Sequence, residues 1–184
     1  MKAKETKFVR SDGSLDPDAF KTLVTQRRET MLRLAYQLTG DWDEAEDISQ
    51  QVFIKAYHGL HRFRGDSGLS SWLYRIMVNT YLDHKRQRLA RGGRHASADE
   101  LVKSGQADPF VATAVDEDPV QATTADHARR HIAEALESLA PRQRSIFVMR
   151  HYHDLPLKEI ASILHVSLGT VKSQLFRAVR RLRQ

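Results

Sequence analysis

The sequence predicts an all-α fold, with two small helical domains joined by a flexible linker. Three observations predict it. Apolar residues recur at helical spacing along nearly the whole chain, and no convincing alternating strand pattern occurs. Helix-starting and helix-stopping residues punctuate that pattern at the expected places. One long stretch, from Gly92 to about Thr124, loses the periodicity and separates two sets of helices. A chain of 184 residues suffices for one ordinary domain or two small ones.

The first helix opens at Asp16 and Pro17, a cap oxygen followed by a proline in the first turn. Phe20, Leu23, Val24, Met31, Leu34, Ala35 and Leu38 fall on its inner side, and Gly40 stops it. The second opens at Asp41, with Glu44 three residues on in a capping-box pattern. Ala45, Ile48, Val52 and Ala56 line its inner face, and Gly59 ends it. A glycine-flanked loop, HRFRGDSGLS, leads to a helix expected from about Ser70 to Arg88, with Leu73, Ile76, Met77 and Tyr81 in the core.

The stretch from residue 92 to 124 is rich in Gly, Ala, Asp, Ser and Thr and contains two Asp-Pro steps, a composition expected of a mostly disordered linker. Helices resume after it. Ile132, Ala135, Leu136 and Leu139 make one stripe. Pro141 starts a helix carrying Ile146, Phe147 and Met149, and Pro156 starts another with Leu157, Ile160, Ala161 and Leu164. No internal repeat is detectable.

The formal net charge is +6, which favours polyanionic partners, nucleic acid or anionic lipid, without naming either. The absence of cysteine excludes disulfides and thiolate metal sites. No metal or cofactor is expected. No apolar run approaches the ~20 residues that span a bilayer, so no membrane insertion is expected. The N-terminal MKAKETKFVR has no apolar core of a secretory signal, and the simplest address is cytoplasmic.

The last segment, VSLGTVKSQLFRAVRRLRQ, carries basic residues at 172, 177, 180, 181 and 183 and no acidic one. Val171, Leu175, Ala178 and Leu182 still keep an apolar stripe through it. With the preceding LKEIASILH it has the layout of a helix-turn-helix, in which Ile160, Leu164, Val166 and Val171 form a small core. His165 to Ser167 make the turn, and His165 takes a position usually held by glycine. The second helix would then present Lys172, Ser173, Phe176, Arg177 and Arg180 to a major groove. Arg and Lys bond guanine edges or phosphates, and Phe176 suits a thymine methyl or a sugar. The competing reading of such a helix is a solvated, membrane-surface or partner-facing charge.

Three stretches in this order resemble the extracytoplasmic-function sigma factors, the smallest bacterial transcription initiation factors. DWDEAEDISQQVFIKAY, Asp41–Tyr57, is similar to the polymerase-binding segment of that family. FRGDSGLSSWLYRIMVNTYLDHKR, Phe63–Arg86, is similar to its promoter-melting and minus-ten-reading segment. VSLGTVKSQLFRAVRRLR is similar to its minus-thirty-five-reading helix. The resemblance implies an N-terminal tail at 1–15, a σ2 helical bundle at 16–91, the linker at 92–124 and a σ4 helix-turn-helix at 125–184. It implies core RNA polymerase and promoter DNA, duplex and melted, as partners, and an anti-sigma factor as regulator. It assigns Asp47, Gln50, Gln51 and Phe53 to the polymerase-facing side, though Phe53 equally suits the core. Gln51 stands where many relatives carry Glu, and Gln174 where many carry Arg.

The residues themselves suit single-stranded DNA in the second of these segments. Phe63 and Arg64 lie in a loop able to close round an unstacked base. Trp72 and Tyr74 offer stacking surfaces, worth ~1–3 kcal/mol per base when used, although Trp72 suits the core as well. Arg75, Asn79 and Arg86 share a helical face, the arginines for phosphates and Asn79 for a base edge. The run from Lys85 to Arg94 reads as a phosphate track or as solvated charge. Asp41, Asp43, Glu44, Glu46 and Asp47 complement a helix N-terminus and also make an acidic docking face.

Two other functions fit the sequence less well. A helix-turn-helix regulator acting without core polymerase needs an effector pocket, for which the first bundle has too few core residues. An enzyme needs a constellation, and the nine histidines are scattered, with His151 and His153 on different helix faces.

Overall fold

A cap oxygen begins the first helix as the sequence leads one to expect. In the structure, a computed structural model that describes residues 16–63, 68–91 and 134–183, Asp16 Oδ1 accepts from the Asp18 N–H at 3.2 Å. From there α1 runs Pro17–Thr39 and ends at Gly40. Gly40 has φ +82°, a conformation that disfavours any side chain. The expected tail at 1–15, the linker at 92–124, and Arg64 and Ile132 lie outside the described residues.

Helix α2 covers Trp42–Gly59 and buries Ala45, Ile48, Val52 and Ala56. Asp41 Oδ1 accepts from the Glu44 N–H at 2.8 Å. The reciprocal half of the expected capping box is not made. The Asp41 N–H donates instead to Thr39 Oγ1 at 3.3 Å. Glu44 turns its carboxylate to the far end of α3, where it meets His84 at 2.9 Å, Lys85 at 3.0 Å and Arg88 at 2.9 Å. Charged donors outcompete one neutral N–H. The Tyr36 ring stacks on Trp42 with centroids 4.0 Å apart, fixing α1 against the start of α2.

A 3₁₀ turn, Leu60–Arg62, follows, and α3 spans Leu69–Arg91. Its buried side chains are Leu73, Tyr74, Met77, Val78 and Tyr81. Ile76, expected in the core, is half-buried. Burial pushes the Tyr81 phenol up to about 12.

Among the later described residues, 134–137 are helical and three further helices follow. These are α4, Pro141–His151; α5, Leu157–Leu164; and α6, Leu168–Leu182. Ile146, Val148, Met149, Ile160, Ile163 and Val171 are buried there, while Phe147 is half-buried. A smaller cluster joins Leu136 and Leu139 to Ala178.

One apolar cluster runs without a break from Leu34, Leu38 and Met77 to Ile146, Met149, Ile160 and Val171. The two helical units therefore pack on one another, which the sequence pattern did not foresee. A buried cation seats the contact. Arg144, 4% exposed, donates from Nε to the Gln37 carbonyl oxygen at the end of α1, at 2.9 Å. Burial lowers its pKa below the usual guanidinium value, against the opposing pull of Tyr81 and Glu137. No helix among the described residues is long and apolar enough to cross a membrane.

Candidate nucleic-acid interface

Helix α6 shows why its sequence is two-faced. Its apolar stripe docks: Val171 and Ala178 are fully buried, and Leu175 and Leu182 are half-buried. Fully burying a valine contributes ~1.5–3 kcal/mol, enough to fix the helix rotation. The opposite side stands in solvent, with Lys172, Ser173, Arg177 and Arg180 exposed beside Phe176, itself 68% exposed. Ser173 Oγ donates to the Thr170 carbonyl at 3.0 Å, which leaves its oxygen free to accept.

The turn that aims this helix is built as the sequence suggests. His165 sits at φ 52°, ψ 48°, in the left-handed region. Its N–H reaches the Ser162 carbonyl at 3.4 Å, and the Val166 N–H reaches the Ala161 carbonyl at 3.0 Å. This is the paired closure that ends a helix at a left-handed residue. Ser167 then caps α6, its Oγ accepting from the Thr170 N–H at 3.0 Å. Ile160 and Val171 form the small core between the crossing helices, with Leu164 and Val166 half-buried beside them. Ile163, 2% exposed, joins that core and was missed. An isoleucine next to Leu164 on a short helix was the available signal.

Along α3 the expected DNA-reading residues separate into two groups. Asn79 is exposed, and Arg86 is exposed and paired with Asp83. Tyr74, expected as a stacking surface, is 8% exposed, and its hydroxyl is hydrogen-bonded to His153 Nδ1 at 2.9 Å. Arg75 donates from Nη2 to the Ser162 carbonyl at 3.2 Å. Trp72 is half-buried with its ring centroid 5.2 Å from that of Phe63. The Trp72 ring also lies close over Gly59, where a Cβ would sit 3.2 Å from Trp72 Cζ2. Lys85 and Arg88, in the expected phosphate track, both lie against Glu44.

On α2 the acidic cluster divides by exposure and pairing. Glu44, with its side chain 9% exposed, is turned toward the cations of α3. Asp47, Gln50 and Gln51 are exposed in a row, and Phe53 is half-buried against the core. Ile54 at 57% and Tyr57 at 48% exposure extend this face and were missed. Large apolar residues off the inner stripe were the signal. Among the described residues, no group of three or more His, Asp or Glu is placed to hold a metal ion.

A helix-turn-helix with a basic exposed face, mounted on a helical bundle with its own polar and apolar outer face, defines a two-unit, all-α DNA-binding protein. The Sigma-70 region 2 family matches residues 23–92, and the Sigma-70, region 4 family matches residues 129–182. The RNA polymerase sigma-H factor of Pseudomonas aeruginosa is 33% identical over 164 residues, covering 89% of this chain and 83% of that one. The ECF RNA polymerase sigma-E factor of Escherichia coli K12 is also 33% identical, over 89% of this chain and 84% of its own. The chain belongs to the extracytoplasmic-function sigma factors of the sigma-70 family. It is an alternative sigma factor, an initiation factor rather than an enzyme. The same fold occurs in the sigma factor RpoE of Bartonella quintana, solved in complex with the anti-sigma factor NepR. That match has a TM-score of 0.67 at 24% identity, covering 89% of this chain and 94% of that one. It occurs also in CnrH, solved in complex with the cytosolic domain of CnrY, with a TM-score of 0.60 at 21% identity, covering 93% of this chain and 89% of that one.

Proposed function

We propose that the chain docks on core RNA polymerase through the outer face of α2, using Asp47, Gln50, Gln51 and Phe53 together with Ile54 and Tyr57. Lys172, Ser173, Phe176, Arg177 and Arg180 of α6 then read a minus-thirty-five element in the duplex major groove. Phe63, Arg64, Trp72, Tyr74, Arg75, Asn79 and Arg86 hold the melted minus-ten strand by stacking and phosphate contact. The working units are 16–91 and 125–184, a division supported by the two family matches at 23–92 and 129–182. The protein acts in the cytoplasm and is held in check by an anti-sigma factor, as the partners of RpoE and CnrH suggest by analogy.

The observation that carries this reading is the two-faced α6, with Val171 and Ala178 buried while Lys172, Arg177 and Arg180 stand exposed. The test is a mobility-shift assay with purified bacterial core polymerase and a library of promoter duplexes. The expected result is a stoichiometric complex of chain and polymerase that selects a common duplex motif. A chain that forms no such complex and binds the same duplexes alone would instead be a regulator acting without polymerase.

A further inference from the structure

We propose that Gly169 is a close-approach point in the reading helix, where the edge of one base pair on the floor of the major groove seats against the bare backbone of α6. This deepens the reading of α6 proposed above and rests on it.

Four glycines lie among the described residues, and the fold accounts for three of them. Gly40 ends α1 at φ +82°. A Cβ on Gly59 would be crowded, 3.2 Å from Trp72 Cζ2. Gly68 precedes α3, and its carbonyl accepts from the Trp72 N–H at 3.1 Å, a cap position that glycine suits. Gly169 is different. It is the second residue of α6, where glycine is a poorer helix former than alanine. A Cβ there would meet Ser167 Oγ at 3.7 Å, an ordinary contact. The helix cap does not need the glycine either, since Ser167 Oγ accepts from the Thr170 N–H at 3.0 Å. The folded chain has room for a side chain at 169 and is no better held together without one.

Its position assigns that room to a partner. Gly169, Ser173, Phe176 and Arg180 lie at i, i+4, i+7 and i+11 and are all exposed. At ~100° per residue, Gly169 stands roughly 200° round the helix from Val171. Val171 is fully buried, so Gly169 lies in the middle of the exposed face and not on its flank. Flanking residues of a helix in a groove meet the two strands, and central ones meet the base edges. A recognition helix turns its N-terminal residues to those edges. Phe176 and Arg180, further along the same line, reach outward with long side chains, while the N-terminal end carries none at 169. That end can therefore sit deepest, and any side chain at 169 would lift it off the base pair.

Gly169→Ala and Gly169→Gln separate this role from one in folding. Both replacements are better helix formers, so the unfolding midpoint of the full chain should hold or rise by up to about 4 °C. The chain assembled with core polymerase should nevertheless lose affinity for a promoter duplex, about tenfold with alanine and about a hundredfold with glutamine. Affinity for polymerase itself should not change. Single abasic nucleotides walked through the minus-thirty-five element then locate the contact. At one position the ratio of wild-type to Gly169→Ala affinity should fall to within about twofold, because a missing base makes room for the methyl group.

A lowered unfolding midpoint would make Gly169 a folding residue and overturn the proposal. So would wild-type promoter affinity in both variants. A ratio that stays constant at every abasic position would overturn the placement on a base edge. A wild-type complex with no preference for any minus-thirty-five element would instead overturn the reading of α6 beneath the proposal.

Discussion

Arg144 of α4 places its Nε 2.9 Å from the Gln37 carbonyl oxygen at the end of α1, joining residues 107 positions apart in the chain. That carbonyl belongs to the last turn of α1, where backbone acceptors lack intrahelical partners. A guanidinium is well suited there, carrying charge toward the negative end of a helix. It also borders the glycine that ends α1: a Cβ on Gly40 would meet Arg144 Nη2 at 3.4 Å and Glu137 Oε1 at 3.1 Å.

Arg144→Met keeps the apolar stem and removes the bond. It should weaken docking of the two units by ~1.5–3 kcal/mol, the range for a hydrogen bond to a charged group. Thermal unfolding followed by circular dichroism should broaden or split into two transitions. A single transition at the wild-type temperature would remove Arg144 from the contact.

Glu44→Ala should destabilise the first bundle, because Lys85 and Arg88 then face each other, beside His84, around an emptied carboxylate site. Lys85 and Arg88 are partly solvated, so the loss should be modest, ~1–2 kcal/mol. Urea unfolding of the full chain checks this. Asp47→Ala, on the exposed side of the same helix, should change stability by less than ~0.5 kcal/mol.

Ile54→Asp should lower affinity for core polymerase by about tenfold or more, as expected for a charge placed in an apolar contact. Ile54 is 57% exposed, so the fold should survive. Charge reversal at Asp47 should act in the same direction. Fluorescence anisotropy with labelled protein measures both, and duplex DNA binding serves as the control.

Arg177→Ala should relax the choice of base in the minus-thirty-five element, and Lys172→Ala should act likewise. A bidentate guanine contact predicts a loss of ~1–3 kcal/mol at one base pair. A phosphate contact predicts a uniform loss with a shallower salt dependence. Val171→Asp should behave differently, unfolding the helix-turn-helix, because Val171 is fully buried. Binding to a duplex library at two salt concentrations separates the three outcomes.

Docking of the two units should weaken in mild acid. Burial holds the His153 imidazole below its ordinary value of 6.5, with Asp154 opposing in part. Its partner Tyr74 is flanked by Arg27 and Glu159. The docked form disfavours the proton, so its stability is intact above the ordinary value and falls as pH drops through the lowered one. Small-angle scattering should show expansion as the pH falls below about 6.5, and His153→Gln should flatten the response. A wild-type radius independent of pH would contradict this.

Local chemistry made much of the fold legible in the sequence. Asp16, Asp41 and Ser167 cap helices, Gly40 and His165 stop them in left-handed conformations, and each signal lies within four residues of its effect. The same holds for the two faces of α6, which follow from helical period alone. What the sequence did not disclose depends on distant partners. Glu44 has the spacing of a capping box, but its carboxylate goes to cations on another helix. Arg144 and His153 look like surface residues until α1 and α3 are placed beside them. Tyr74 reads as a platform because nothing in its own helix shows what covers it. Single-chain periodicity reports which side of a helix is apolar, and not which other helix meets it.

Run-off transcription with purified bacterial core polymerase tests the central claim most directly. Genomic promoter fragments are transcribed with core enzyme alone, with core enzyme plus this chain, and with core enzyme plus the Ile54→Asp and Arg177→Ala variants. The account predicts discrete start sites that appear only with the chain, share paired minus-thirty-five and minus-ten elements, vanish with Ile54→Asp and shift in promoter preference with Arg177→Ala. Transcripts with identical starts in the presence and absence of the chain would contradict it.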